Sequence, residues 1–227
     1  MKIAILKERR PHETRVAATP ETVKKLRALG AEVVIEAGAG QAASYLDQAY
    51  ADAGATVVAD AAAAAAVGDV VFKVQRPMTA AEGADELALL RSGQVLMSPL
   101  GALTGKELMQ QLASKGVTAF ALELIPRITR AQSMDILSSQ ANLAGYKAVL
   151  LAADNFGRIF PQMMTPGGTL APARAFIMGV GVAGLQAIAT ARRLGAIVTA
   201  TDVRPATKEQ VQSLGAKFVA VEDEEFK

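Results

Sequence analysis

Gly179-Val-Gly-Val-Ala-Gly184 follows the apolar run Ala175–Met178 and opens a helical pattern. After that pattern a second apolar run, Ala196–Thr201, ends at Asp202. A strand, a glycine turn, a helix, a second strand and a terminal acid, in this order, form the fingerprint of a βαβ unit that binds a dinucleotide. The stretch therefore predicts a parallel sheet whose ligand-binding edge lies at the glycine turn.

The three glycines and the acid each have a separate physical task in such a unit. Gly179 permits the tight turn from strand to helix, Gly181 lets the backbone approach a pyrophosphate, and Gly184 lets the helix pack closely on the strand. The helix N-terminus offers unpaired N–H groups and the positive end of its dipole to the phosphates. Asp202 can accept hydrogen bonds from both hydroxyls of an adenosine ribose, and it would repel a 2′-phosphate. We therefore predict NAD as the ligand in preference to NADP.

The composition of the 227-residue chain argues against several other classes of protein. Its 24 basic and 22 acidic residues are interspersed and give a net charge of +2, so we expect no nucleic-acid partner. Cysteine is absent and His12 is the single histidine, so we expect no disulfide, no metal site and no Ser-His-Asp triad. The apolar runs are too short for a bilayer span or a signal peptide. These features predict a soluble, cytoplasmic protein.

Strand-like apolar runs alternate with helical patterns along the chain, which predicts parallel sheets with helices on both faces. The predicted strands are Ile3–Leu6, Glu32–Ile35, Val70–Val74, Val95–Met97, Val117–Leu122, Ala175–Met178, Ile197–Thr201 and Phe218–Val221. The predicted helices are Thr19–Gly30, Asp47–Ala53, Ala59–Val67, Gly105–Lys115, Met134–Asn155, Ala183–Leu194 and Thr207–Leu214. We therefore expect an α/β fold of two doubly wound, Rossmann-like parallel-sheet units.

The division between the two units is predicted near a long helix and a segment rich in proline and glycine. We assign residues 1–140 to an N-terminal Rossmann-like domain, 141–172 to a linking helix and an extended arm, and 173–227 to the NAD-binding Rossmann domain. A full dinucleotide-binding sheet has about six strands, and only three are predicted after Pro172. We therefore expect the second unit to be truncated, or its sheet to be completed by another chain.

A second group of polar residues lies in the segment Arg127–Gln140, directly after the strand predicted to end near Leu122. Loops at the carboxyl ends of parallel strands are where such sheets bind ligands. Asp135 and Ser138 can share a helix face, and an Arg/Asp pair with amide and hydroxyl groups can hold a carboxamide. Alternatively, Ser133 and Asp135 only cap a helix. The residue pattern alone does not decide between these interpretations.

Several motifs of this chain together resemble the NAD(H)-binding domain of proton-translocating nicotinamide nucleotide transhydrogenase. The similarity extends over essentially the whole chain, and the segment Arg127–Gln140 is its most specific part. The other motifs that carry the resemblance are Glu8–Pro11, Arg15–Pro20, Lys73–Pro77, Gly179–Gln186 and Thr201–Arg204.

The resemblance implies which residues contact NAD(H). It places Arg127, Gln132, Asp135 and Ser138 at the nicotinamide end, the first three of them at the reacting ring. For the pyrophosphate it implies Gly179, Gly181, Val182 and Gly184, and for the adenosine end Asp202 and Arg204.

The resemblance also implies an activity and a set of partners. The activity is direct hydride transfer between NAD(H) on this chain and NADP(H) on a partner domain, in a direction that the sequence does not fix. Such a transfer releases no proton, so it needs apposition of the rings and exclusion of water but no general acid or base. The implied partners are a second copy in a homodimer, the NADP(H)-binding domain, and a membrane-embedded proton-translocating subunit. These partners imply a cytoplasmic location at the inner membrane.

Two alternatives belong to other functional classes. Alanine dehydrogenase is a relative with the same two-unit plan, in which residues near Arg15 and Lys73 bind a 2-oxo acid. Its catalytic histidine is expected near residues 98–101, where this chain has Ser-Pro-Leu-Gly, and His12 is a poor substitute. Arg15 and Lys73 would then be structural, paired with Glu8 or Glu123. The other alternative is a non-catalytic NAD-binding or assembly module.

Overall fold

The computed structural model describes residues 1–220, in which the chain forms two units, Met1–Met134 and a unit that begins at Asp135. The strands of the first unit are β1 (Lys2–Ile5), β2 (Glu32–Glu36), β3 (Thr56–Val58), β4 (Val70–Phe72), β5 (Val95–Ser98) and β6 (Thr118–Ala121). They pair in parallel in the order β3-β2-β1-β4-β5-β6. This is the strand order of a doubly wound fold, with its switch point between β1 and β4.

Helices pack on both faces of this first sheet. They are α1 (Pro20–Ala28), α2 (Asp47–Asp52), α3 (Ala61–Val67) and α4 (Lys106–Ser114). Ile3 and Ile5 lie in one core with residues of α1 and α2, whereas Ala4 and Leu6 lie in another core with residues of α3 and α4. A strand that is buried on both faces needs an apolar side chain at every position, which explains the continuous apolar run at the start of the chain.

The second unit carries a smaller parallel sheet and a separate hairpin. Its elements are α5 (Ile136–Asn155), β7 (Met163–Thr165), β8 (Gly168–Leu170), β9 (Arg174–Met178), α6 (Val182–Arg193), β10 (Ile197–Thr201), α7 (Thr207–Ser213) and β11 (Lys217–Phe218). The sheet has the order β11-β10-β9, and β7 and β8 form an antiparallel pair. The order β11-β10-β9 corresponds to one half of a doubly wound sheet, with β9 as its first strand.

Helix α5 packs directly on α6 because a glycine allows close approach. A Cβ added to Gly145 would lie 2.8 Å from the carbonyl carbon of Ala183, closer than real side chains come to backbone. One turn further along, Val149 is buried in a core that also contains Ile188 and Val198. Within residues 1–220, no helix combines the length and the hydropathy that crossing a bilayer requires.

The α/β fold with two parallel, doubly wound units is confirmed, and the predicted helices are all present with ends shifted by a few residues. Strand β3 was not predicted, because three residues between two alanine-rich helices are too few to show a strand pattern. The segment predicted as an extended arm contains the hairpin β7–β8. The predicted strand Phe218–Val221 begins at Lys217, and its last residue lies outside the described residues, as does the acidic segment after it.

The prediction that Ser133 caps the long helix is wrong. Helix α5 begins at Ile136 and its N-cap is Asp135, whose carboxylate accepts the hydrogen bond that the first turn requires. Residues 129–134, which include Ser133, form a short 3₁₀ helix that precedes this cap. The finer division into domains with bounds at residues 140 and 172 stays a prediction.

Candidate functional site

The glycine turn between β9 and α6 has the backbone conformation that its sequence predicted. Gly179 has φ of +89°, a left-handed conformation in which a side chain would be strained. Gly181 is extended and serves as the N-cap of α6. A Cβ built on Gly179 or on Gly181 would meet no atom of residues 1–220 within 4 Å. The outer surface of the turn is therefore bare backbone, open to a ligand.

The third glycine faces inward and lets the helix touch the turn. A Cβ added to Gly184 would overlap the carbonyl oxygen of Gly179 and lie 2.9 Å from its carbonyl carbon. Because both atoms belong to the backbone, no rotamer change could relieve the overlap. Gly184 thus performs the close-packing task that the fingerprint assigned to it.

The N-terminus of α6 is suited to an anion. No side chain in the described part of the chain caps it, since its N-cap residue is Gly181, and Val182 in the first turn is exposed. The last turn carries Arg192 and Arg193, which complement the opposite end of the helix dipole. A phosphate placed at the bare turn would meet the N–H groups and the positive end of the helix dipole together.

Asp202 lies at the end of β10 and reaches back to the glycine turn. Its Oδ2 accepts the backbone N–H of Val180 at 2.6 Å, and its Oδ1 accepts the backbone N–H of Arg204 at 2.9 Å. The Arg204 guanidinium also donates to it, from Nε to Oδ1 at 2.9 Å and from Nη2 to Oδ2 at 3.0 Å. The hydrogen bond from Arg204, aided by the two backbone N–H groups, holds the pKa of Asp202 well below its usual range. The acid is therefore ionised wherever the protein is folded near neutral pH.

The geometry of these groups, and not only the sequence motif, fits a dinucleotide. The turn presents bare backbone where a pyrophosphate would lie, the helix behind it has no side-chain cap among the described residues, and an ionised carboxylate stands beside the turn. All of these groups belong to the second unit, from β9 through Arg204.

The residues predicted for the nicotinamide end lie in two parts of the chain. Arg127 and Gln132 are exposed near the end of the first unit, Gln132 in the 3₁₀ helix Thr129–Met134. Asp135 and Ser138 begin the second unit. Their assignment to a carboxamide site stays a prediction.

Asp135 and Ser138 contact each other directly. Asp135 Oδ1 accepts the backbone N–H of Ser138 at 2.9 Å, and its Oδ2 accepts the Ser138 hydroxyl at 2.7 Å. Asp135 therefore caps helix α5, as the capping interpretation predicted. This role does not exclude ligand binding, because a carboxylate has about four acceptor positions.

Lys73, which the alanine dehydrogenase interpretation places at a 2-oxo acid, is buried within the first unit. Its Nζ lies 2.8 Å from Glu86 Oε1 and 3.2 Å from Glu8 Oε2, and its side chain is 1% exposed. The same two carboxylates accept the backbone N–H groups of Val74 and Met78. Lys73 is thus paired with Glu8, as the structural interpretation predicted, and additionally with Glu86, which no sequence signal marked.

Arg15 forms a salt bridge with Glu13, with Nη2 2.7 Å from Oε2. Glu13 accepts from Nε and Nη2 of Arg15 at 2.8 and 2.7 Å, and from Gln75 at 2.7 Å. The hydrogen bond from Arg15 is the largest cause that lowers the pKa of Glu13, to about 2. Glu123 instead holds the loop after β5, accepting the backbone N–H groups of Leu100 and Ala102.

Family comparison places the chain among two related kinds of enzyme. The family model described as "Alanine dehydrogenase/PNT, N-terminal domain" matches residues 4–144, and "Alanine dehydrogenase/PNT, C-terminal domain" matches residues 148–227. An NAD(P) transhydrogenase subunit alpha chain of Rhodospirillum rubrum is 63% identical over 227 residues, which are 100% of this chain and 59% of the relative.

The solved structures that resemble this chain include the same two kinds of enzyme. The structure of transhydrogenase from Sinorhizobium meliloti matches with a TM-score of 0.91 and 55% identity, covering 97% of this chain and 64% of that one. An L-alanine dehydrogenase structure matches with a TM-score of 0.84 and 30% identity, covering 98% of this chain and 61% of that one. The chain thus spans about three fifths of the length of each of these three relatives.

Proposed function

The chain belongs to the alanine dehydrogenase/PNT family, and from that premise we propose that it is the NAD(H)-binding component of a proton-translocating, Re/Si-specific NAD(P) transhydrogenase. The observation that carries the proposal is the open glycine turn with Asp202 hydrogen-bonded behind it. The similarity to a named transhydrogenase subunit at 63% identity supports this branch of the family over the other.

The residues of the second unit would hold the pyrophosphate and the adenosine. The backbone of Gly179 and Gly181 leaves room for the phosphates, and the uncapped N-terminus of α6 supplies N–H donors to them. Asp202 would accept the ribose hydroxyls. Its negative charge, maintained by the low pKa, would disfavour a 2′-phosphate.

At the other end, we assign Arg127, Gln132, Asp135 and Ser138 to the carboxamide of the nicotinamide. The amide, carboxylate and hydroxyl groups can pair with both the C=O and the NH₂ of a carboxamide and so fix the orientation of the ring. When bound, NAD(H) supplies or accepts the hydride, and the protein residues orient it and exclude water.

The side chains of this chain fit a reaction that moves no proton at the reacting carbons. His12 lies in an exposed turn with φ of +66°, and Lys73 is neutralised by two buried carboxylates. An amino-acid dehydrogenase would need a group that exchanges a proton with the substrate nitrogen or oxygen. That need disfavours the alanine dehydrogenase alternative, because Lys73 has no access to solvent.

The partners of this component would be an NADP(H)-binding domain and a membrane-embedded subunit that translocates protons. A second copy of the chain would form a homodimer. The hairpin β7–β8 supports the dimer because an isolated two-stranded hairpin is marginal in water, and its residues Met163, Met164 and Leu170 are exposed. Association with these partners would hold the protein at the cytoplasmic face of the inner membrane.

The test is hydride transfer in the assembled enzyme. The full-length protein is first titrated with NADH by fluorescence. It is then mixed with the NADP(H)-binding partner and assayed for reduction of a thio-NADP⁺ analogue by NADH. Arg127→Gln should slow transfer at least tenfold, while Arg130→Gln, at another exposed arginine of the same segment, should leave it unchanged.

Each alternative function gives a different result in this test. NADH binding without transfer in the presence of the partner would support a non-catalytic NAD-binding module. Oxidation of NADH by pyruvate and ammonia would support an alanine dehydrogenase. Absence of NADH binding by the full-length protein would refute all three functions.

A further inference from the structure

The side chain of Arg204 covers the carboxylate that the adenosine ribose is expected to use. Of the four hydrogen bonds to Asp202, two come from backbone N–H groups, at Val180 and Arg204, and two from the Arg204 guanidinium. A carboxylate has about four acceptor positions. Accordingly, the Asp202 side chain is 5% exposed, whereas that of Arg204 is 60% exposed.

The two kinds of donor differ in how easily they can be replaced. The N–H groups of Val180 and Arg204 are fixed by the backbone of the glycine turn and of the loop after β10. The guanidinium lies at the end of a flexible and mostly exposed side chain. A ribose diol offers two O–H donors, which is the number of donors that the guanidinium supplies from Nε and Nη2.

We propose that the Arg204 side chain is a latch on Asp202, which competes with the ribose diol and must swing away before the adenosine end of NAD(H) can bind. This inference rests on the proposed function, since it concerns the same site. It makes Arg204 a positioning residue that holds the Asp202 carboxylate in place beside the turn while no nucleotide is bound. The guanidinium Nη2 also donates to the carbonyl of Val180 at 3.2 Å, so the latch spans the acid and the turn.

The latch must be weak if the site is to be used. The Arg204 side chain is 60% exposed, so solvent screens much of its attraction to the carboxylate, although the Asp202 side chain is itself only 5% exposed. The apparent affinity of a ligand is reduced by the fraction of molecules in which its site is closed. Removal of the guanidinium should therefore tighten binding of a diol-bearing nucleotide by about two- to tenfold.

The experiment compares AMP with 2′,3′-dideoxy-AMP, which has the same charge but no diol, in competition with NADH on the full-length protein. The measured quantity is the ratio of the dissociation constant of the dideoxy nucleotide to that of AMP. In Arg204→Gln this ratio should rise about two- to tenfold, and in Arg204→Lys it should rise less. Arg193→Gln removes an equal charge from an exposed position of α6 and should leave the ratio unchanged.

The outcomes separate the latch from the proposed function. An unchanged or lowered ratio in Arg204→Gln would overturn the latch and show that the guanidinium is a ligand of the nucleotide or a bystander. The latch would also be overturned if Arg204→Gln binds NADH but does not bind AMP. Failure of the wild-type protein to bind NADH would refute the proposed function itself.

Discussion

Replacement of Gly184 by alanine tests whether the contact between α6 and the glycine turn is as tight as the structure indicates. The added methyl group would overlap the carbonyl oxygen of Gly179 and lie 2.9 Å from the carbonyl carbon. Ordinary van der Waals contact between carbons needs about 3.5–4.0 Å. The helix or the turn must therefore move by a large fraction of an ångström or more.

The size of the effect follows from two opposing contributions. Overpacking of this kind costs about 1–3 kcal/mol, and here the clashing atoms are backbone, which places the cost at the upper end. Alanine is favoured over glycine in a helix interior by about 1 kcal/mol. We expect a net loss of about 1–2 kcal/mol in the free energy of unfolding of the second unit. Since the turn itself is displaced, NADH affinity should fall at least tenfold.

The assay is urea unfolding followed by circular dichroism, together with an NADH titration. Gly157→Ala is the matched control, because a Cβ at Gly157 meets no atom of residues 1–220 within 4 Å and this glycine does not have a positive φ. The control should stay within about 0.5 kcal/mol of the wild type. If Gly184→Ala is as stable as the control and binds NADH normally, the close packing inferred for the third glycine is wrong.

Four further changes have defined outcomes. Asp135→Asn should leave the melting temperature nearly unchanged, because asparagine also caps helices, and should slow NADH turnover; a drop in melting temperature alone would reduce Asp135 to a cap. Asp202→Asn should weaken NADH binding about tenfold. It should also reduce the ratio of the affinity for NADH to the affinity for NADPH, which parallel titrations with the two nucleotides measure. Lys73→Met should cost about 3–5 kcal/mol in urea unfolding, because it leaves the buried Glu8 without the ammonium and Glu86 with only the Arg9 guanidinium, 3.6 Å away. The folded-state pKa of Glu13 is depressed from 4.5 to about 2, so its contribution to stability is present above pH 4.5 and is lost as the pH falls toward 2; the stability difference between wild type and Glu13→Gln should shrink over that window.

The parts of the fold that the sequence predicted are those determined by local pattern. The glycine turn, the strands β9 and β10 and the acid after them follow from residue types at fixed positions along one stretch of chain. The same holds for α1, where Thr19 caps the helix and Pro20 occupies its first position. By contrast, β3 is an edge strand of three residues, and its pairing with β2 depends on the sheet and not on its own sequence.

The polar contacts were predicted less well because they depend on distances that the sequence does not contain. Glu86 follows Lys73 at no recognisable helical or strand spacing, and only the folded loop brings its carboxylate to the buried ammonium. Arg15 could be paired with any of several acids, and the structure shows a salt bridge with the nearest acid in sequence, Glu13. The salt bridge between Arg204 and Asp202 could likewise not be predicted from the sequence. The motif marks both residues as ligands of the nucleotide but does not show that they bind each other.

The two units show that topology alone does not make a nucleotide site. In both units the first strand, β1 or β9, ends in a turn at the carboxyl edge of the sheet. The next strand of the same unit, β2 or β10, pairs beside that first strand. After β1 that turn carries Lys7-Glu-Arg-Arg10, and the Glu8 carboxylate is buried on Lys73 beside the neighbouring strand β4. After β9 the turn is bare glycine backbone, and its acid, Asp202, lies at the end of the next strand. The turn after β1 thus carries a carboxylate that is buried in an ion pair, whereas a Cβ at Gly179 or Gly181 would meet no atom of residues 1–220 within 4 Å. This local difference is why we propose nucleotide binding for the second unit and not for the first.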